Sequence, residues 1–261
     1  MAKALAKNKG QALATINDSI FLEDAANGQD GMGREDLMIP RLSILQQMSA
    51  QVSKRDGAYV EGAEPGYILD TVDQKATDGE TGIVVVPIIY RRAHIEWKPD
   101  RGGFVADHGK DSSCLERCAR GAKGEYLTDE GNEIVPTGEY FVFVVDADGF
   151  SPAMISMAKS QLKKARQWNM MISRLMINAG STRINPAMFW TAYQLTTVPE
   201  ENDQGAWFGW SVKMLHDAAS GGIIDNHSQG KEIYLAARDF KSQLSTGDVR
   251  ISPESQDDDV M

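Results

Sequence analysis

The sequence predicts an α+β fold, mainly β: an antiparallel barrel with an inserted long helix and flanking helices. Three observations carry this. Runs rich in β-branched and aromatic residues recur at 82–97, 139–146, 187–197 and 206–215. One long amphipathic helical pattern, 158–179, falls between the second and third of these runs, and another, 231–244, follows the last. At 261 residues and 42% hydrophobic content the chain has material for a sizeable core.

Taken in order, residues 1–36 mix Lys3, Lys7 and Lys9 with Asn27, Gly28, Gly31 and Gly33, the composition of a flexible segment with a short helix at 17–23. The folded domain is expected over 37–244. Leu42, Leu45 and Met48 after Pro40 predict a helix docked on the core. A short strand at 67–72 and a polar loop lead into GIVVVPIIYRRAHIEW at 82–97. Its first half reads as a strand buried on both faces, with Pro87 marking an edge or a bulge. Its second half carries Tyr90, Arg91, Arg92, His94 and Trp97. Rings stack on bases and guanidinium groups meet phosphates, so that half points to a nucleic-acid surface. The plainer reading packs the same rings under a loop.

Residues 98–138 turn to Gly, Asp, Glu and Lys and read as a long insertion. His94, His108, Cys114 and Cys118 are enough soft ligands for tetrahedral zinc, but a Cys-x3-Cys without a second tight pair is the spacing of two free thiols. No metal or cofactor is expected. EYFVFVVD at 139–146 is a second strong strand, and Asp146-Ala147-Asp148-Gly149 reads as a hairpin turn into a strand at 152–157, rather than a divalent-metal pair.

In the 158–179 pattern, Ala158, Leu162, Ala165, Ile172, Leu175, Met176 and Ala179 share one face, with Trp168 at its margin. Lys159, Lys163, Arg166 and Arg174 line the other face, and Gly180 supplies the stop. This is a basic stripe, or simply a solvated helix face, within a chain of net charge −10. In the hairpin 187–197 and 206–215, Phe189, Trp190, Tyr193, Trp207, Phe208 and Trp210 put rings on both faces, more than one core accepts. The tail 245–261 sets five carboxylates against Arg250, leaving it at −4 and the rest at −6, so any phosphate-binding surface is a local patch. Pro253 and the run of polar residues predict that this tail is disordered.

Strands with one inserted helix correspond to an OB-like barrel, the oligonucleotide-binding kind. With its basic inserted helix, strand aromatics and terminus ending DDDVM, the chain resembles the single-stranded DNA-binding proteins of bacteria and their phages. IPRLSILQ followed by GIVVVPIIYRRAHIEW is similar to phage-encoded members of that class. The resemblance implies a non-enzymatic protein that coats single-stranded DNA in replication, recombination or repair. It also implies an acidic tail, here Asp257, Asp258 and Asp259, that recruits replication or recombination proteins and competes for the DNA groove. The tail departs from many members by ending Val260-Met261 without an aromatic residue.

The binding residues expected from the residues themselves are Tyr90, Arg91, Arg92, Trp97, Lys159, Lys163, Arg166, Arg174, Trp190, Tyr193, Trp207 and Trp210. No P-loop, dinucleotide fingerprint, Gly-x-Ser-x-Gly or His-Glu-x-x-His is present, which argues against an enzyme. The alternatives are a structural or partner-binding protein, and a metal-dependent nucleic-acid enzyme using Asp146 and Asp148. With no apolar segment in MAKALAKNKG and no run of roughly 20 apolar residues, a cytoplasmic protein without membrane contact is expected, in the host cytoplasm if phage-encoded. A monomer and a homo-oligomer are both compatible with the sequence.

Overall fold

A computed structural model describes residues 38–246 apart from Asp148 and Gln204. The segment before Met38, the helix expected at 17–23 and the acidic tail from residue 247 on lie outside the described residues. Strands β1 (Arg41–Ile44), β2 (Ile68–Asp70) and β3 (Lys75–Thr77) form a meander. β1 corrects the helix expected after Pro40. Leu42 and Ile44 alternate inward, and the backbone pairs on both sides: antiparallel with β2, and parallel with β9 (Phe150–Ala158), where Leu42 faces Ile155. Available ladder partners outweigh a helical spacing of only three residues.

β4 (Ile83–Trp97) is the long central strand, and β5 (Phe104–Asp107) folds back on its end. The expected loop is built rather than open. It holds β5, the short helix α1 (Ser113–Glu116), and the small hairpin β6 (Ala119–Arg120) with β7 (Tyr126–Leu127). β8 (Glu133–Val145) starts earlier than expected, because its first residues complete the ladder with the far end of β4. β9 returns antiparallel along β8 after a turn in which Asp146 and Gly149 exchange hydrogen bonds.

A 3-10 turn, Lys159–Gln161, leads into α2 (Leu162–Arg174), shorter at both ends than the expected 158–179. Lys159 adopts φ of 48°, outside helical space, and the Asn185 side-chain amide donates to the carbonyls of Ile172 (3.0 Å) and Leu175 (2.7 Å), capping the other end. Gly180 instead turns the hairpin of β10 (Ile177–Ala179) and β11 (Thr182–Ile184). The strand expected from 187 begins as a 3-10 turn at Met188–Trp190. The final hairpin is β12 (Tyr193–Asn202) and β13 (Gly205–Met214), followed by α3 (Ile223–Asn226) and α4 (Gly230–Thr246).

The fold is thus α+β and mainly β, with one sheet ordered β13-β12-β4-β8-β9-β1-β2-β3 that curls into a half-barrel. Its concave face buries Leu42, Val85, Tyr140, Ile155, Tyr193 and Leu195 around Ala165 and Trp168 of α2. Val86, Ile88 and Phe143 on the other face pack against Ile233 and Ala237 of α4. β4 is therefore buried on both faces, as its unbroken β-branched run requires. The register of β4 on β8 shifts between Pro87 and Ile89, a bulge where the proline has no N–H for the ladder. The bulge moves the alternation by one residue, so that Tyr90 faces inward like Ile83 and Val85.

Where β13 approaches the chain beyond β1, side chains replace a backbone ladder. The Phe208 N–H donates to Gln46 Oε1 at 2.8 Å, and Gln46 Nε2 donates to the Phe208 carbonyl at 3.0 Å. Two residues on, the Trp210 N–H donates to Gln161 Oε1 at 2.9 Å. Pro199 lies opposite Phe208 in the hairpin and has no N–H, consistent with Phe208 turning its polar backbone outward. Gln46→Ala strands both Phe208 groups, and we expect a loss of about 1–3 kcal/mol in unfolding free energy, measured by urea denaturation.

Candidate nucleic-acid interface

A cleft of about 650 Å³ opens where the small β6–β7 hairpin, the start of β8, the turn into α2 and the tip of the β12–β13 hairpin converge. Six side chains give it its chemistry: Arg92, Lys123, Tyr126, Lys159, Arg166 and Trp207. Arg92 follows from the bulge, because it lies two residues beyond inward-facing Tyr90 and shares its face. Arg166 comes from the outward side of α2, whose opposite side buries Ala165 and Trp168.

The cleft also holds Glu125 and Glu133, and Lys159 Nζ lies 3.4 Å from Glu133. Among the described residues Arg92, Lys123 and Arg166 have no ion-pair partner. The cleft is a cationic place in an acidic chain. Trp207 Nε1 donates to Glu200 at 3.0 Å, and the Arg120 guanidinium lies 3.6 Å from the centre of the Tyr126 ring. Burial opposes the charge on Glu200, yet donors from Lys164, Gln161 and Trp207 outweigh it and hold its carboxyl below the ordinary range.

Of the residues expected from sequence, the cleft thus gathers Arg92, Lys159, Arg166 and Trp207. Lys163 and Arg174 are exposed on α2 but do not line it. Trp97, Tyr193 and Trp210 are corrected: all three are buried, Trp97 edge-on to Phe104 and the other two inside the half-barrel, where no base reaches them. Tyr90 is half-buried with its ring 5.0 Å from Tyr140, and Trp190 is half-buried with its ring against Gly222.

Arg91 does not line the cleft either. Its Nε donates to Glu139 at 2.7 Å, its Nη2 also pairs with Glu139, and its Nη1 lies 2.8 Å from Asp107. Burial works against this guanidinium, but Glu139 and Asp107 keep it charged. Lys123 and Tyr126 are cleft residues the sequence reading missed. The signal was the run Arg120 to Tyr126, where two cations and a ring lie within a loop long enough to be functional.

The histidines and cysteines are occupied in other ways. His94 is buried with Nδ1 2.9 Å from the Gly109 carbonyl, and His108 Nε2 lies 2.8 Å from Glu96. The thiols of Cys114 and Cys118 donate to the carbonyls of Asp111 and Cys114, and burial pushes both thiols up. Among the described residues no group of three or more His, Cys, Asp or Glu side chains is placed to hold a metal ion. Asp146 serves its turn, and Asp148 lies outside the described residues. None of the described helices is long and apolar enough to cross a membrane.

Glu96 ties both ends of the excursion to β4, accepting from Asn132 at 2.8 Å with one oxygen and meeting His108 with the other. Burial raises its carboxyl, but these two partners outweigh burial and bring it below its ordinary value of 4.5. The fold therefore favours the charged form. That contribution is complete above about pH 4.5 and is lost as the pH falls through the lowered value. We expect the stability difference between the wild-type chain and Glu96→Gln to shrink over that acid range in denaturation midpoints. Arg91→Met leaves the buried Glu139 carboxylate unpaired, and we expect a loss of about 3–5 kcal/mol by urea denaturation.

No curated protein and no solved structure matches the chain. The family model described as Pam3 phage gp34-like protein matches residues 8–250, and the chain belongs to that family of phage proteins.

Proposed function

We propose that the protein binds single-stranded DNA in this cleft, without catalysing a reaction, in phage DNA replication, recombination or repair. The observation that carries the reading is where the cleft lies relative to the strand order. We read β4, β8, β9, β12 and β13 as the five strands of an oligonucleotide-binding barrel, with α2 between the third and fourth and β1 added between the third and fifth. Such barrels bind oligonucleotides on the face of strands two and three, between the loop joining strands one and two and the loop joining strands four and five. On that mapping the first loop carries Lys123 and Tyr126, strand two brings Glu133 to Pro136, and the last hairpin brings Asn202, Gly205 and Trp207. All of them line this one cleft.

Cations along a backbone path with rings beside them bind single strands with little base preference. Duplex bases stay stacked, away from Trp207 and Tyr126. The acidic tail, with Asp257, Asp258 and Asp259, is proposed to dock replication or recombination proteins and to compete for the cleft when DNA is absent.

The test is a titration with single- and double-stranded oligonucleotides over a range of salt. Preference for the single strand is expected, and equal affinity for both forms at moderate salt counts against stacking. Arg92→Ala and Arg166→Ala are each expected to lower the single-strand salt slope by about 0.7. Lys163→Ala and Arg174→Ala, away from the cleft, are expected to leave it nearly unchanged.

A further inference from the structure

Three donors, from β13, the 3-10 turn and α2, meet on one carboxylate at the edge of the cleft. Glu200 stands directly opposite Trp207 in the β12–β13 ladder. One of its oxygens accepts from Trp207 Nε1 at 3.0 Å and from Gln161 Nε2 at 3.0 Å, and the other lies 2.9 Å from Lys164 Nζ. Room for this meeting comes from Gly209, two residues beyond Trp207 on the same strand face. A Cβ there lies 2.6 Å from both the Glu200 carboxylate and the Gln161 amide.

We infer that Glu200 is a positioning residue that locks the Trp207 indole in one orientation on the cleft wall, so that a base meets a preset ring face. The inference rests on the single-strand reading above. An indole has one polar atom, and that atom only donates. Anchoring it to a charged acceptor fixes the rotation of the ring about its side-chain bonds, which removes the ordering cost that a free tryptophan bears on stacking. A bare carboxylate beside a phosphate path is repulsive. Lys164 neutralises this one and lies outside the cleft lining, so the anchor is kept and the repulsion reduced.

The experiment uses the full-length chain with 15N-labelled tryptophan, Trp207 being assigned by the indole N–H resonance lost in Trp207→Phe, and oligothymidylate as the probe. Glu200→Gln keeps an oxygen for the indole while losing the ion pair with Lys164, and Glu200→Ala removes both. The Trp207 resonance is expected to shift and exchange faster in the Ala variant, and to stay close to wild type in the Gln variant. Affinity for oligothymidylate is expected to fall roughly two- to tenfold in the Ala variant, with the Gln variant within about twofold of wild type. The salt slope stays constant across the series, since neither group meets a phosphate. Adding Glu200→Ala to Trp207→Ala is expected to cost nothing further.

An unmoved indole resonance in Glu200→Ala overturns the inference, as does wild-type affinity in that variant. Unchanged affinity in Trp207→Ala overturns it too, while leaving the cationic cleft in place. Failure of the wild-type chain to bind any single strand overturns this inference together with the proposed function. If the Ala variant does not fold, Glu200→Ser, too short to reach the indole, takes its place with the same expected outcomes.

Discussion

The stack of Tyr140 on Trp168 sets where α2 lies, and the cleft depends on where α2 lies. The two rings stand 4.1 Å apart at 22°, inside the half-barrel, and the Tyr140 hydroxyl donates to the Ala165 carbonyl at 2.8 Å. Burial pushes that hydroxyl far above its ordinary range, so it remains a donor. With Trp168 pinned inward, the geometry of a helix decides the rest. Arg166, two residues away and about 200° round the axis, must face outward. Gln161 lies seven residues before Trp168, almost two full turns, so it returns to the same side and meets the edge of β13.

Two adjacent arginines show how one bulge divides structure from candidate function. Arg91 and Arg92 look alike in sequence. After the shift at Pro87, Arg91 is held between Glu139 and Asp107, clasping β8 and β5 to β4. Arg92 shares the face of Tyr90 and reaches the cleft. With strict alternation continued through Pro87 the two would exchange faces. The location of the bulge is a long-range fact, since it depends on which residues of β8 oppose β4. Pro87 shows locally only that the ladder is disturbed somewhere near it.

The strands that were legible, β4, β8, β9 and the β12–β13 hairpin, have runs long enough for their period to be unambiguous, and α4 has four turns of repeating apolar positions. β1 was misread because Leu42, Leu45 and Met48 fit a helix on three residues, while the ladder edges that turn Arg41–Ile44 into a strand belong to residues far along the chain. Aromatic residues were harder still. Trp207 and Trp210 are three apart in one strand and so fall on opposite faces, but nothing local tells which face is the core. The answer comes from α2, which fills the concave side with Trp168 and leaves the ring of Trp207 outside. Composition marked the 98–138 stretch as unusual. Its hairpin fold, and therefore the arrival of Lys123 and Tyr126 at the cleft, comes from the pairing of β6 with β7 and of Leu127 with Glu133, while Glu96 ties the flanking His108 and Asn132 to β4.

An acidic chain with a cationic cleft has opposite electrostatics at long and short range. Exposed charges are screened beyond about 10 Å at 0.1 M salt, so at that ionic strength the carboxylates spread over the body act weakly on a ligand already seated in the cleft. The near charges then dominate: Arg92, Lys123 and Arg166, which have no ion-pair partner among the described residues, beside Glu125, with Lys159 and Glu133 facing each other. At low salt the reach of the body lengthens and its net −10 opposes the approach of any polyanion. Long-range attraction therefore does not guide such a ligand in. For the single strand proposed above, retention would fall to contacts made after arrival, a few phosphate contacts together with stacking on Trp207 and Tyr126. Stacking is the part that survives added salt. That division places more weight on the ring geometry than on the number of cations, and it is the reason a single carboxylate holding one indole matters to a surface otherwise read by its charge.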